Sequence, residues 1–213
     1  MLAHAAALQT KVPGAVLVGG SAAALHAGHR VSFDHDHVLP DLERHYDRAL
    51  AALESIAGWR TRRKVRGKMV LGRVGTIEAG LRQLRRSAPL ETMKITLPSG
   101  AAVTVPTVAE ILRIKAFLLV ERNATRDYLD VAALSRHVGL KRSAAVLRDL
   151  SKLYPEFAGE GGDVLTSVLV KLVVPDPTDL EGVDLGEYKG IVPPWNRWPA
   201  VVEQCAALGA VLH

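Results

Sequence analysis

The sequence has a single cysteine, no long apolar run and a wide interval without acidic residues. Cys205 is the only cysteine among 213 residues, which excludes an internal disulfide framework and a four-cysteine zinc site. No run of about 18 apolar residues occurs, so we expect no membrane-spanning helix. The first eleven residues lack the basic start and the apolar core of a signal peptide. These absences predict a globular protein of the reducing cytoplasm.

Acidic residues are missing between Glu54 and Glu78, and the whole chain carries a net charge of +5. A basic segment is either a solvated face or a surface that follows the phosphates of a nucleic acid. The interval also holds Arg73, and Arg82, Arg85 and Arg86 follow it. The candidate RNA contacts are the cations in the first part of the interval: Arg60, Arg62, Arg63, Lys64, Arg66 and Lys68.

Hydrophobic periodicity predicts a mixed α/β part over residues 1–106 and a mainly helical part over residues 107–213. Glycines, prolines and capping residues mark the ends of the segments. The expected strands cover 14–20, 30–39, two segments within 67–84 and a hairpin over 93–106. The expected helices cover 21–28, 41–58, 108–121, 126–137, 141–153 and 199–211.

Two aspartates alternate with two histidines at Asp34–His35–Asp36–His37. In a strand, residues i and i+2 point to the same face, so the aspartates project together and the histidines project to the other side. Neighbouring carboxylates repel unless a cation or a proton lies between them. Mg²⁺, with Mn²⁺ as the second candidate, prefers such oxygen ligands. The alternative is a polar strand edge in water, and we expect His35 and His37 to pack behind the strand or support it from there.

A glycine pair and a serine, Gly19–Gly20–Ser21, end a predicted buried strand and begin a predicted helix. Ser21 is the expected N-cap residue of that helix. Backbone N–H groups at a strand–turn–helix junction form a cradle for phosphate. The pattern is weak alone and more informative here, because a strand with Asp-x-Asp follows it. No HExxH or Gly-x-Ser-x-Gly pattern indicates a different chemistry.

Lys115 interrupts the apolar stripe of the helix predicted over 108–121. A lysine in such a stripe either extends its ammonium group to solvent or meets an anion. On the next predicted helix, Asp127 and Asp130 are spaced i and i+3 and share a face. Asp127 either complements the helix dipole or completes a site, as a base or as the partner of Lys115. Arg126 is a candidate partner for a carboxylate or a phosphate.

Two segments together form a familiar pattern: LVGGSAAALHAGHRVSFDHDHV (17–38) and RIKAFLLVERNATRDYLDVAAL (113–134). They resemble the AbiEii family of nucleotidyltransferase-like toxins, which includes the mycobacterial MenT toxins. Histidines occupy positions 35 and 37, where members of the family commonly have apolar residues. The matching parts are, in order, Gly19–Gly20–Ser21, His29–Arg30, Asp34-x-Asp36, Lys115 and Arg126–Asp127-x-x-Asp130.

The resemblance implies an α+β fold, with a DNA polymerase β-like nucleotidyltransferase core over 1–106 and helical residues 107–213 that complete the active site. It implies catalytic roles for Asp34, Asp36, Lys115 and Asp127, with the metal ion on the two strand aspartates. The implied nucleotide contacts are Gly19, Gly20, Ser21, Arg30, Lys115 and Arg126.

The resemblance also implies a toxin that transfers NMP from an NTP to RNA and so blocks translation. CTP or another pyrimidine nucleotide is the implied donor, the 3′ end of tRNA is the implied acceptor, and an antitoxin protein is the implied partner. Two alternatives stay open: transfer to a hydroxyl group of a protein, either a partner or the chain itself, and a non-catalytic module that binds nucleotide or RNA. Glu78, which alternates on a predicted strand, is the candidate for a third carboxylate at the site.

Overall fold

A five-stranded mixed sheet lies in the first half of the chain, with the strand order β1-β2-β5-β4-β3. β2 and β5 are parallel, and the other neighbouring strands are antiparallel. The strands are β1 (Val16–Val18), β2 (His35–Leu39), β3 (Trp59–Val65), β4 (Met69–Val74) and β5 (Ile77–Gln83). A separate antiparallel hairpin joins β6 (Thr92–Thr96) to β7 (Ala102–Pro106).

The computed structural model describes residues 1–157 and 162–213, and these residues form two compact units. The first unit comprises Met1–Ala22 and Ser32–Thr107, and the second comprises Ala23–Val31 and Val108–His213. Helix α2 (Gly19–Ala27) passes from the first unit into the second. The short segment 23–31 thus belongs to the second unit, and the division into functional parts at residues 106 and 107 stays a prediction.

The core of the first unit lies between one face of the sheet and the helices α1 (Leu2–Lys11) and α3 (Leu42–Glu54). Along α3, the buried residues Leu42, Tyr46, Ala49 and Leu53 recur every three or four positions, which is the spacing that places them on one helical face. They pack against sheet residues that include Val70, Ala79 and Leu81. The opposite face of the sheet is therefore left for polar side chains.

The second unit contains helices α4 (Val108–Glu121), α5 (Thr125–Val138), α6 (Leu140–Leu147), α7 (Leu150–Leu153), α8 (Val164–Val173) and α9 (Trp198–Leu212). Short 3₁₀ segments lie at Pro155–Phe157, Leu180–Gly182 and Leu185–Glu187. α5 is buried on nearly every side, from Tyr128 through Ser135. Its two aspartates therefore lie in the interior of this unit.

The α+β fold class is confirmed, with a mixed sheet in the first half and helices in the second. Strand β3 was not expected, because its basic residues conceal the alternation of a strand. As an edge strand it pairs with one neighbour only, and edge strands tolerate charged side chains. Helices α1 and α8 were also not expected.

Three differences from the predicted boundaries move a candidate site residue or divide a helix. The strand expected over 30–39 begins only at His35, so Asp34 lies just before it. The helix expected from Ser21 begins at Gly19, so Ser21 lies inside the first turn and is not the N-cap residue. The helix expected over 141–153 is broken at Arg148 and Asp149 into α6 and α7.

Candidate functional site

Asp36 lies on β2 and faces away from the apolar core. Its backbone is paired with Gly80 of β5, and a Cβ atom on Gly80 would lie well inside van der Waals distance of Asp36 Oδ1. The Asp36 carboxylate therefore occupies the space that the glycine leaves open. Arg82 Nε is 3.9 Å from Asp36 Oδ1, and the Asp36 side chain is 40% exposed. This carboxylate is held in place and still reaches solvent.

The glycine turn lies directly beside Asp36. A Cβ atom on Gly19 would be 3.6 Å from both Asp36 Cβ and Asp36 Oδ2, and Gly19 has φ +71°, which favours glycine. The buried Ser21 donates its hydroxyl hydrogen to the carbonyl oxygen of Asp34. Position 19 thus allows the backbone to approach the carboxylate, and Ser21 ties the helix to the segment that leads into β2.

Asp34 is exposed and lies one residue before β2. Its Oδ1 accepts a hydrogen bond from Ser32 Oγ at 2.7 Å. The first unit therefore brings the predicted residues Gly19, Ser21, Asp34 and Asp36 into one neighbourhood. Their assignment to nucleotide and metal stays a prediction.

His35 and His37 point to the opposite face, as the strand alternation predicts. Their side chains are 1% and 0% exposed, and their rings meet edge to face with centroids 5.3 Å apart. Burial is the main cause that lowers the pKa of His35 to about 4 and that of His37 to about 3. The charge of His4 adds to the lowering for His35, and that of His35 adds to it for His37. Both rings are therefore neutral packing groups behind the aspartate strand at neutral pH.

Glu78 lies on β5, two residues before Gly80, and so shares the face of Asp36. Its side chain is 62% exposed and forms an ion pair with Arg62 of β3. The carboxylate proposed as a third ligand is thus on the correct face, with an arginine as its partner. Its role at the site stays a prediction.

The donor set of the first unit suits a hard cation. Asp34 and Asp36 offer carboxylate oxygens, while the softer imidazole nitrogens of His35 and His37 are buried on the other face. Within residues 1–157 and 162–213, no group of three or more His, Cys, Asp or Glu side chains could hold a metal ion. Two carboxylates fit Mg²⁺, which commonly takes one or two carboxylates, with water and phosphate oxygens as its other ligands.

In the second unit, Lys115 meets two carboxylates. Its Nζ is 2.6 Å from Asp130 Oδ2 and 3.1 Å from Asp127 Oδ1, and the side chain is 1% exposed. The lysine therefore meets anions in the interior rather than extending to solvent. Asp127 and Asp130 share one face of α5, and both carboxylates contact this ammonium group.

Asp130 is the centre of this buried charge cluster. Its Oδ1 is 2.8 Å from His29 Nε2, and Arg30 donates to both of its oxygens, at 3.0 and 3.2 Å. Burial alone raises the pKa of the Asp130 carboxyl, but attraction to Lys115, then to Arg30 and His29, outweighs it and holds that pKa far below its ordinary value. Asp130 is therefore ionised throughout the physiological range.

Two arginines extend the cluster. Arg122 donates to both oxygens of Asp127, with Nη2 2.6 Å from Oδ1. Arg30 lies over the ring of Tyr188, 5.7 Å from its centroid, and its segment is held by backbone hydrogen bonds from Val31 to Lys189 and from Val192 to His29. Spacing along the chain carried no signal for Arg122, because a turn with Asn123 at φ +48° separates it from α5.

Arg126 is exposed at the start of α5. Burial raises the pKa of Asp179, but the backbone N–H and the hydroxyl of Thr125, which both donate to Asp179 Oδ1 at 2.7 Å, outweigh it and lower that pKa, and the charge of Arg126 adds a smaller lowering. Thr125 is the first residue of the helix and is itself capped by Asp179. Arg126 is thus next to a carboxylate, and its contact with phosphate stays a prediction.

Sequence comparison relates the chain to parts of much longer proteins, and no model of a known protein family matches it. It is 32% identical over 141 residues to the heme uptake protein MmpL11 of Mycobacterium tuberculosis strain H37Rv, which covers 66% of this chain and 14% of that protein. It is 27% identical over 165 residues to the mycolic acid-containing lipids exporter MmpL11 of Mycolicibacterium smegmatis, with 75% and 16% covered. None of the helices in the described parts of the chain has the length and apolarity needed to cross a membrane.

Structural comparison relates the chain to nucleotidyltransferases. A crystal structure of a candidate nucleotidyltransferase from Helicobacter pylori matches with a TM-score of 0.52 at 19% identity, over 100% of this chain and 92% of that one. The solution structure of the antibiotic-resistance factor ANT(2″)-Ia matches with a TM-score of 0.54 at 14% identity, over 73% of this chain and 92% of that one. At such low identity the likeness shows the fold, and the chain has the nucleotidyltransferase fold.

Proposed function

We propose that this protein is a nucleotidyltransferase that transfers NMP from an NTP to RNA, with the 3′ end of tRNA as its acceptor. The observation that carries the proposal is the arrangement of Gly19, Asp34 and Asp36 at the end of a sheet that belongs to a nucleotidyltransferase fold. A glycine turn supports close approach of phosphate, and the adjacent carboxylates support a hard cation.

In the proposed reaction, a ribose hydroxyl of the acceptor attacks the α-phosphorus of the NTP. The new oxygen–phosphorus bond forms as the bond to the β-phosphate breaks, so pyrophosphate leaves and the hydroxyl proton passes to a base. Asp34 and Asp36 would hold Mg²⁺ or Mn²⁺, which supplies charge neutralisation at the phosphates when it is bound. The backbone of Gly19 and Gly20, with Ser21, would orient the phosphates.

The residues of the second unit have two proposed roles. Arg30 and Arg126 are proposed phosphate contacts, because guanidinium groups bind phosphate oxygens in pairs. Lys115 and Asp127 are proposed catalytic residues. Lys115 lies between two buried carboxylates. We propose that it holds Asp127 in place as the base or as an electrostatic organiser, and that it contacts the triphosphate when the NTP binds.

The decisive test incubates the pure protein with tRNA, Mg²⁺ and each α-labelled NTP in turn. The expected result is that one preferred NTP labels the RNA. The rate of labelling should be at least a hundredfold lower in Asp36→Asn. Asp41→Asn, which removes an exposed carboxylate at the start of α3, is the matched control and should behave like the parent. A parallel series with Mn²⁺ tests the metal preference.

Three outcomes would overturn the proposal. Label that stays on protein bands after ribonuclease treatment indicates a protein hydroxyl as the acceptor. Binding of NTP without any turnover indicates a non-catalytic module. Equal labelling by the parent and Asp36→Asn indicates that the aspartate pair is not the site.

We also propose that the transfer is toxic and that an antitoxin protein neutralises it. Induced expression of the chain in a bacterial host should arrest growth and protein synthesis, and Asp36→Asn should relieve both effects. A neighbouring reading frame for a small winged-helix-like protein would supply the candidate antitoxin. Labelled tRNA without growth arrest would overturn the toxin role and leave the transferase activity standing.

A further inference from the structure

The pairing of four strands places several arginines on the same sheet face as Asp36. Asp36 is directly opposite Gly80, Gly80 is opposite Leu71, and Leu71 is opposite Arg63. Residues directly opposite each other on neighbouring strands share a face. With a strand spacing of about 4.8 Å, Arg63 lies roughly 14 Å across the sheet from Asp36.

The next row on this face is more strongly charged. Glu78 is opposite Arg73, and Arg73 is opposite Arg60. Glu78 is already paired with Arg62, while the described residues offer no ion pair to Arg60 or Arg73. Like charges directly opposite each other destabilise a sheet. The Arg60–Arg73 pair is therefore unfavourable for folding, and an anion between the two side chains would offset their repulsion.

The same pairing divides the basic segment in two. Lys64 is opposite the buried Val70 and so belongs to the core side of the edge strand. Arg66 lies in the turn after β3 and donates to both oxygens of Asp47 on α3, at 2.6 Å each. Lys68 lies in the same turn. Lys64 and Arg66 are therefore not on the face of Asp36, although the sequence grouped them with Arg60 and Arg63, and Lys68 lies outside the paired strands.

We propose that the single-stranded 3′ end of the acceptor RNA crosses this sheet face, from the edge strand β3 towards Asp36, with its phosphates on Arg60, Arg63 and Arg73. The proposal rests on the proposed transfer to RNA and names its acceptor surface. The surface is called the arginine face, and it consists of Arg60, Arg63 and Arg73. Proteins that bind single-stranded nucleic acid typically place a line of cations along the path of its phosphate backbone.

The test compares three triple variants with equal loss of charge. The first replaces the arginine face: Arg60→Gln, Arg63→Gln and Arg73→Gln. The second replaces the other cations of the segment: Lys64→Gln, Arg66→Gln and Lys68→Gln. The control replaces exposed cations elsewhere in the first unit: Arg44→Gln, Arg48→Gln and Lys94→Gln.

Binding of a labelled single-stranded RNA is measured against salt concentration, and KM is measured for tRNA and for NTP. The arginine-face variant should bind RNA at least thirtyfold more weakly. Its log–log salt slope should fall by about 2, since each phosphate contact on a single strand contributes about 0.7. The second variant should lose less affinity, the control should match the parent, and the KM for NTP should stay unchanged in all three.

The thermal midpoint provides an independent readout. Because the arginine-face variant removes the Arg60–Arg73 repulsion, it should melt at the parent's temperature or above it. Equal weakening by the first and second variants would overturn the division by face. A raised KM for NTP in the arginine-face variant would mean that these cations hold the triphosphate. Since the binding assay needs no turnover, a parent that binds RNA through the arginine face and labels nothing would overturn the proposed transfer alone.

Discussion

Asp36 and Gly80 are direct partners across the parallel pair β2 and β5, and the aspartate carboxylate lies over the glycine. Any side chain at position 80 would displace this carboxylate, because its first carbon would overlap Asp36 Oδ1. The glycine therefore sets the position of the aspartate, although it contributes no functional group itself.

Gly80→Ala should reduce nucleotidyl transfer at least tenfold, because the added methyl group forces Asp36 out of place. Overpacking of this kind costs about 1–3 kcal/mol in stability, so the variant should still fold. The measurements are the labelled-NTP assay and a thermal midpoint. Gly182→Ala is the matched control, since nothing lies within 4 Å of the new methyl group. Unchanged transfer by Gly80→Ala would show that Asp36 does not need this position.

Lys115→Met should destabilise the second unit by about 3–5 kcal/mol, because it leaves the buried carboxylates of Asp127 and Asp130 without their shared cation. Urea unfolding at neutral pH measures the loss. Lys152→Met breaks an exposed pair with Asp149 and should leave the unfolding midpoint unchanged. If both variants unfold at the parent's midpoint, the buried cluster is not held together by Lys115.

Stability should fall as the pH drops below about 6.5. Burial lowers the pKa of His35 to about 4 and that of His37 to about 3, so between these values and the ordinary 6.5 only the unfolded chain binds the protons. The contribution of these two neutral histidines to stability is therefore fully present above about pH 6.5 and is lost progressively as the pH falls to about 4 and below. At about 1.4 kcal/mol per unit of pKa, the loss at pH 4 is roughly several kcal/mol.

Urea unfolding at a series of pH values between 4.5 and 7.5 measures this loss. His35→Phe keeps a ring at the same place and should flatten the pH dependence by the share of one histidine. His45→Phe changes an exposed histidine on α3 and should keep the parent's dependence. A parent whose stability is constant over this range would contradict the burial of neutral rings behind the aspartate strand.

Asp179→Ala should cost about 1 kcal/mol, the usual loss when a helix loses its capping side chain. Its Oδ1 accepts two hydrogen bonds from Thr125 at the start of α5, and α5 carries Asp127 and Asp130. Asp176→Ala is the control, because Asp176 accepts from Asn123 through its backbone oxygen alone. Equal midpoints for the two variants would show that Asp179 does not cap the helix.

The aspartate motif was open to prediction because strand periodicity is local. Alternation alone separates Asp36 from His35 and His37, and burial in the structure follows that alternation. The position of Asp34 was less predictable, since the strand begins one residue after it. The choice between an exposed and a buried, paired Lys115 required the folded structure, because a sequence does not show whether a lysine contacts Asp130 on another helix.

The basic segment shows the same limit. Its composition indicated an anionic partner, but the face of each cation depends on the register between β3, β4 and β5 and on the irregular pairing between Thr61 and Arg63. A shift of one residue reverses the face of every following side chain. Neither the register nor the ion pairs of Arg62 and Arg66 with distant residues can be read from spacing along the chain.

Local sequence patterns were sufficient to predict the α+β class, the glycine turn, the alternation of aspartate and histidine, and the helices that bear Lys115 and Asp127. Each of these depends on neighbours within a few residues, where periodicity and turn chemistry act. The folded chain was needed to show that Gly80 makes room for Asp36, that Lys115 is shared by Asp127 and Asp130, and that Arg60, Arg63 and Arg73 lie on the face of Asp36. These contacts join distant segments, and packing and strand register decide them.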